Sequence, residues 1–169
     1  MTPRGSIVLI DTVAIKAAHD HGCWNALKNS FQLHSVPLCL EEATRWSKQG
    51  RRLVAKSCEE LSKELTLHTP SEQQRAELLL RVGLMLDLDA GERDLLADAL
   101  TLKSKARWLC GPDKASLKAL NRLQLLDRMV ALETLARGVG CRTSGLKDQY
   151  TEKWLGEKRL RLRMGDELI

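Results

Sequence analysis

The run Ile7-Val8-Leu9-Ile10 is continuous, apolar and rich in β-branched side chains, and it stops at the carboxylate of Asp11. A strand of that kind has no polar face, so it belongs inside a parallel sheet covered on both sides. Parallel neighbours need long crossovers, usually helices, and the chain supplies them. Residues 12 to about 27 keep a helical rhythm of Val13, Ala14, Ala17, Ala18 and Trp24, and residues 31–37 read as a second strand ending in a turn at Pro37. Helices are expected over residues 38–50 and 53–61, and residues 65–68 alternate with period two as a short edge strand. Ser71 and Gln74 have capping-box spacing for a helix to about residue 84. Glu92 opens another helix after the turn at 87–91, residues 106–110 form the next strand, and Asp113 caps a helix to about residue 123. Residues 129–132 fit either a last strand or a helix start. This alternation favours an α/β fold over a helical bundle.

The chain has 169 residues and a formal net charge of +5, long enough for one domain with its own core and too short for two independent catalytic domains. An aromatic share of only 4% argues against single-strand recognition through rows of stacked rings, as in RRM or OB-fold modules. A nucleic-acid partner would be held mainly through its phosphates. Basic residues gather at Arg45, Lys48, Arg51 and Arg52, and again at Lys158, Arg159, Arg161 and Arg163. Either cluster alone reads first as a solvated face, the second in a strand or irregular tail. Five cysteines without a CxxC pair point to a reducing compartment. The N-terminal apolar run is too short for a secretory core or a membrane span, so a cytoplasmic protein is expected. His19, His21 and Cys23 lack a second pair of zinc ligands, and Gly138-Val139-Gly140 lacks the third glycine of a dinucleotide fingerprint.

In an open parallel sheet, ligands bind beyond the carboxyl ends of the strands, where the following helices start. That rule selects Asp11 after the first strand, Glu42 in the helix after the second, Glu92 behind a glycine, and Asp113 after the strand at 106–110. Carboxylates gathered without bases repel one another, and a bound cation is the usual reason to tolerate them. Oxygen donors select a hard ion, Mg²⁺ or Mn²⁺, which can activate water and neutralise a leaving oxygen in phosphodiester hydrolysis. Each acid also has a plainer reading: Asp113 as a helix cap, Glu92 as a first-turn charge, Glu41 and Glu42 as an exposed pair. Asp11 resists that treatment, because a carboxylate directly after a buried strand is costly unless something holds it. Asp94 and Asp98 read as surface acids; Asp98 lies about 600° round a helix from Glu92 and faces well away from it.

In order and spacing, four segments resemble the motifs of the PIN-domain family, which includes the VapC-type toxin ribonucleases. They are Ile7-Val8-Leu9-Ile10-Asp11-Thr12, Val36-Pro37 with Glu41-Glu42, Leu88-Asp89-Ala90-Gly91-Glu92-Arg93, and Trp108-Leu109-Cys110-Gly111-Pro112-Asp113-Lys114. The resemblance implies a three-layer α/β/α sandwich with a central, mainly parallel sheet over residues 1–138, with 139–169 as a basic C-terminal extension packed on the same domain. It also implies a Mg²⁺- or Mn²⁺-dependent endoribonuclease that hydrolyses RNA phosphodiester bonds, in the role of toxin in a toxin–antitoxin pair. Asp11, Asp113, Glu92 and Glu42, or Glu41 beside it, map to the catalytic metal site. Thr12, Lys114, Arg45, Arg159 and Arg161 are the expected substrate contacts. The expected partners are RNA and an antitoxin protein, and apolar helix faces are compatible with a homodimer. Two positions depart from the pattern: Val13, where many members carry Asn, and Gly111-Pro112, where a hydroxyl residue usually precedes the last Asp. They leave a second expectation open, a catalytically inactive PIN-like module that binds RNA or a protein partner.

Overall fold

The computed structural model describes residues 2–45, 54, 56–83, 87–100, 107–111 and 113–166. Its elements run β1 (Ile7–Ile10), α1 (Thr12–Asp20), α2 (Trp24–Ser30), β2 (Gln32–Ser35), α3 (Pro37–Thr44), α4 (Cys58–Ser62) and β3 (Thr66–Leu67). They continue through α5 (Glu72–Val82), α6 (Ala90–Ala99), β4 (Arg107–Cys110), α7 (Lys114–Arg122), α8 (Leu132–Gly138) and α9 (Glu152–Arg163).

All strand pairings are parallel, in the order β3-β2-β1-β4. The alternate residues of β1 feed two separate cores. Leu9 and Leu109 pack with Leu95, Leu96, Leu117 and Leu120 on one face, while Val8, Ile10 and Leu33 pack with Ala14, Ile15, Leu27 and Leu135 on the other. The sheet is therefore covered by helices on both sides, as a strand with no polar face requires. The C-terminal segment joins both cores: Tyr150 enters one, and Leu155 and Leu162 the other.

Local signals set the ends of the elements. Pro37 occupies the first turn of α3, where its missing N–H costs nothing. Ser71 and Gln74 close the expected capping box on α5, which ends at Gly83 with φ +80°, a left-handed value that suits glycine.

Several expectations are corrected. The first helix is two helices, broken at His21 and at Gly22, whose φ is +65°. The stretch 158–163 is neither strand nor irregular tail but the second half of α9; Leu155 and Leu162, two turns apart, share its buried face, while Leu160 is exposed. Alternating Arg and Leu imitates a strand there, yet helix burial decides. α6 begins at Ala90, capped by Asp89, so Glu92 sits in its first turn and does not open it. Met129 makes only an isolated parallel bridge to Leu109, and α8 starts at Leu132, so of the two expected uses of residues 129–132 the helix start holds and a strand does not. Asp94 and Asp98, expected at the surface, are buried: Asp94 pairs with Arg75, and Asp98 lies beside His68 and Arg107. The expected helical stretches at 46–50 and 53, the end of the helix at residue 84, the strand start at 106, the basic residues Lys48, Arg51 and Arg52, and Pro112 lie outside the described residues.

Candidate functional site

The strand order places β2 and β3 on one side of β1 and β4 on the other, so the order in which strands are added to the sheet reverses between β1 and β4, while the two strands stay parallel. A crevice beyond the carboxyl ends of two such strands is the preferred ligand position in open parallel sheets. Asp11 follows β1 and Asp113 follows β4.

Asp11 is 5% exposed. Its Oδ1 accepts from the Ala14 N–H at 2.7 Å, capping α1, and its Oδ2 lies against Gly111. A Cβ on Gly111 would stand 2.6 Å from that oxygen and 2.8 Å from Cγ. The absence of a side chain at Gly111 thus leaves room for the carboxylate. Asp113 caps α7, its Oδ2 accepting from the Ser116 N–H at 3.0 Å. Glu92 belongs to a capping box: the Asp89 carboxylate accepts from the Glu92 N–H at 2.7 Å, and Glu92 Oε2 accepts from the Asp89 N–H at 3.1 Å.

Glu42 comes from the last turn of α3. Thr12 Oγ1 donates to its Oε2 at 2.8 Å, and a Cβ on Gly91 would stand 3.3 Å from the same oxygen. Glu42 is thereby tied to the residue after Asp11 and to the residue before Glu92. Glu41 is exposed, so of the two neighbouring acids it is Glu42 that faces the site.

The acids feel one another. Burial, followed by the charges of Asp113 and Asp89, raises Asp11 from 3.8 to about 7 even though the Ala14 N–H opposes the shift. Burial and then the Asp113 charge, with smaller contributions from Asp89 and Asp11, raise Glu92 from 4.5 to about 8. Repulsion among carboxylates at a buried edge is what a cation would relieve. Oxygen donors of this kind suit Mg²⁺ or Mn²⁺. Among the described residues, however, no three His, Cys, Asp or Glu side chains are already grouped to hold an ion; Asp11, Asp89 and Asp113 serve as helix caps, and Glu42 is held by Thr12.

Sequence reasoning missed Asp89. Its signal was present, since an Asp three residues before a Glu at a helix start is a capping-box pattern. What the sequence could not show is that this cap adds its charge to the Asp11 field.

The expected substrate contacts divide. Thr12 lies within the site, but its hydroxyl serves Glu42. Lys114 is exposed in the first turn of α7, next to Asp113, and Arg45 is exposed at the end of α3. Arg159 and Arg161 are engaged within the fold. Arg159 donates to the Met129 carbonyl and pairs with Glu152, and Arg161 pairs with Asp166. His19 stacks on Trp24 with ring centroids 4.6 Å apart, and burial lowers it to about 4, as expected of a packed neutral histidine.

Comparison of the chain with models of known families, with curated proteins and with solved structures returns no match. Among the described residues, no helix is long and apolar enough to cross a membrane.

Proposed function

We propose that the protein is a PIN-like, metal-dependent endoribonuclease. The observation that supports this reading is that Asp11, Asp113 and Glu92 feel one another's charge beyond the β1/β4 switch point, with Glu42 accepting from Thr12 next to Asp11; Asp11 and Glu92 are both pushed up by burial and by other carboxylates. Asp11 and Asp113 would hold Mg²⁺ or Mn²⁺ directly, and Glu92 and Glu42 would complete its surroundings. The ion would supply Lewis acidity at a phosphodiester.

The chain's own residues set the stage for it. Thr12 fixes the Glu42 carboxylate, and the Asp89 cap holds the first turn of α6 and with it Glu92. Gly111 keeps the space that Asp11 fills. Lys114, Arg93 and Arg45 are exposed cations near these acids in sequence, available to RNA phosphates. An antitoxin protein that covers the edge would complete the toxin role.

Mn²⁺-dependent cleavage of an RNA pool tests the proposal. Wild type should cleave, and Asp11→Asn and Asp113→Asn should not; equal rates in all three would overturn it. One observation favours a second reading, a module of the same fold without catalysis: Asp11, Asp89 and Asp113 are already in use as helix caps. Calorimetry separates the two, since the module binds no Mn²⁺ at near-millimolar concentration.

A further inference from the structure

Next in the chain to the acids, α5 and α6, with Leu38 of α3, line a cleft of about 350 Å³. From α6 it is lined by Ala90, Arg93 and Asp94, which share one helix face by their spacing. From α5 come Arg75 and Leu79, with Leu78 and Leu38 as further apolar lining. The cleft adjoins the site through the chain itself. Ala90 lies between Asp89 and Gly91, and Leu38 precedes Cys39, whose carbonyl lies 3.3 Å from Thr12 Oγ1.

Arg75 is held unusually firmly for a side chain 34% exposed. Its Nε donates to Asp94 Oδ1 at 2.7 Å and its Nη2 to Asp94 Oδ2 at 2.9 Å, while Nη1 donates to Glu72. Asp94 is itself buried, so a two-pronged bond to a fixed carboxylate sets the plane of the guanidinium. These partners also cancel its charge. The lining holds Arg75 and Arg93 against Glu72 and Asp94, a balanced set and a poor trap for a phosphate alone. It suits a flat, neutral ligand with donors and acceptors on its edge.

We infer that this cleft is a subsite for one nucleobase of a single-stranded RNA, stacked on the pinned Arg75 guanidinium against the leucine lining. Planar guanidinium groups stack bases as aromatic rings do. The free edge of the base would accept from Arg93 and donate to Glu72. The volume falls within the range of small-molecule sites. A chain with a single Phe, a single Tyr and four Trp thereby gains a stacking surface without a ring. The inference rests on the ribonuclease reading for its substrate, and its test is separate.

Binding of a short, fluorescein-labelled RNA pool is measured by anisotropy in chelator, where no cleavage occurs. Leu79→Trp fills the cleft, Arg75→Lys keeps the charge and removes the plane, and Leu80→Trp adds a ring to a side chain 87% exposed that does not line it. The first two should each weaken binding about tenfold, the worth of one stacked base, and Leu80→Trp should not. Unchanged affinity in Leu79→Trp and Arg75→Lys, an equal loss in Leu80→Trp, or no RNA binding by wild type, which would leave the cleft to a peptide ligand, each overturns the subsite. Mn²⁺-dependent cleavage by wild type is scored apart. Cleavage with unaltered affinity in both variants removes the subsite and keeps the nuclease, and lost affinity without wild-type cleavage does the reverse.

Discussion

Asp11→Asn should stabilise the metal-free protein at alkaline pH while removing its response to Mn²⁺. Asparagine caps a helix as well as aspartate does, so the Ala14 N–H keeps its acceptor and the difference is one of charge. Burial, with the charges of Asp113 and Asp89, raises the carboxyl from 3.8 to about 7. At 1.36 kcal/mol for each tenfold change in proton affinity, the ionised form costs the folded state about 4 kcal/mol. The folded chain binds this proton more tightly than the unfolded chain. The Asp11 penalty is therefore absent below pH 3.8, grows as the pH rises toward about 7, and is complete above that. The amide has no such loss. Urea unfolding in chelator should give similar stabilities for the two proteins near about pH 4 and a wild type lower by about 4 kcal/mol near about pH 8. Saturating Mn²⁺ should then restore wild type and leave Asp11→Asn where it was. A difference that stays constant with pH would refute the argument, because it would mean that Asp11 is not held in a desolvated, mutually repelling set of acids.

Gly111→Ala places a Cβ 2.6 Å from Asp11 Oδ2 and should cost about 1–3 kcal/mol by overpacking; urea unfolding and Mn²⁺ titration should both register the displaced carboxylate. Thr12→Val removes the donor to Glu42 and should cost about 1 kcal/mol and weaken Mn²⁺ binding, with Thr12→Ser restoring both. Far from the site, Glu64 works in the opposite sense. Burial opposes its ionisation, but hydrogen bonds from Lys28, Lys56 and Trp24 overcome it and bring the carboxyl from 4.5 to about 2. Its contribution is present above pH 4.5 and lost as the pH falls toward about 2. Glu64→Gln should therefore be less stable than wild type at neutral pH by about 1–3 kcal/mol, with a gap that narrows on acidification. A gap that widens would contradict the assignment.

Much of the candidate site was legible because a strand-ending acid, a capping box and an Asp after a strand are local patterns. Asp11, Glu92 and Asp113 sit at or near helix starts whose positions follow from short-range hydrogen bonding. The choice of Glu42 over Glu41 was not local. It depends on the Thr12 hydroxyl and on the space at Gly91, which come from distant parts of the chain. Asp94 and Asp98 were misplaced for the same reason. An acid on a helix reads as solvated until Arg75, or His68 with Arg107, is brought against it from another element.

The sequence by itself determined a parallel α/β architecture, because Ile7-Val8-Leu9-Ile10 has no face that water could cover and because caps and glycines punctuate the helices around it. It also determined that Asp11 ends a strand and that Asp113 caps a helix. Tertiary structure alone decided that β4 pairs on the far side of β1, which makes a switch point with Asp11 and Asp113 just beyond its two strand ends. It alone turned Arg75 from a surface charge into a fixed plane beside a cleft. The physical division is one of range: periodicity and capping act within a few residues, whereas desolvation, charge repulsion and cavity shape exist only once distant segments exclude water from one another.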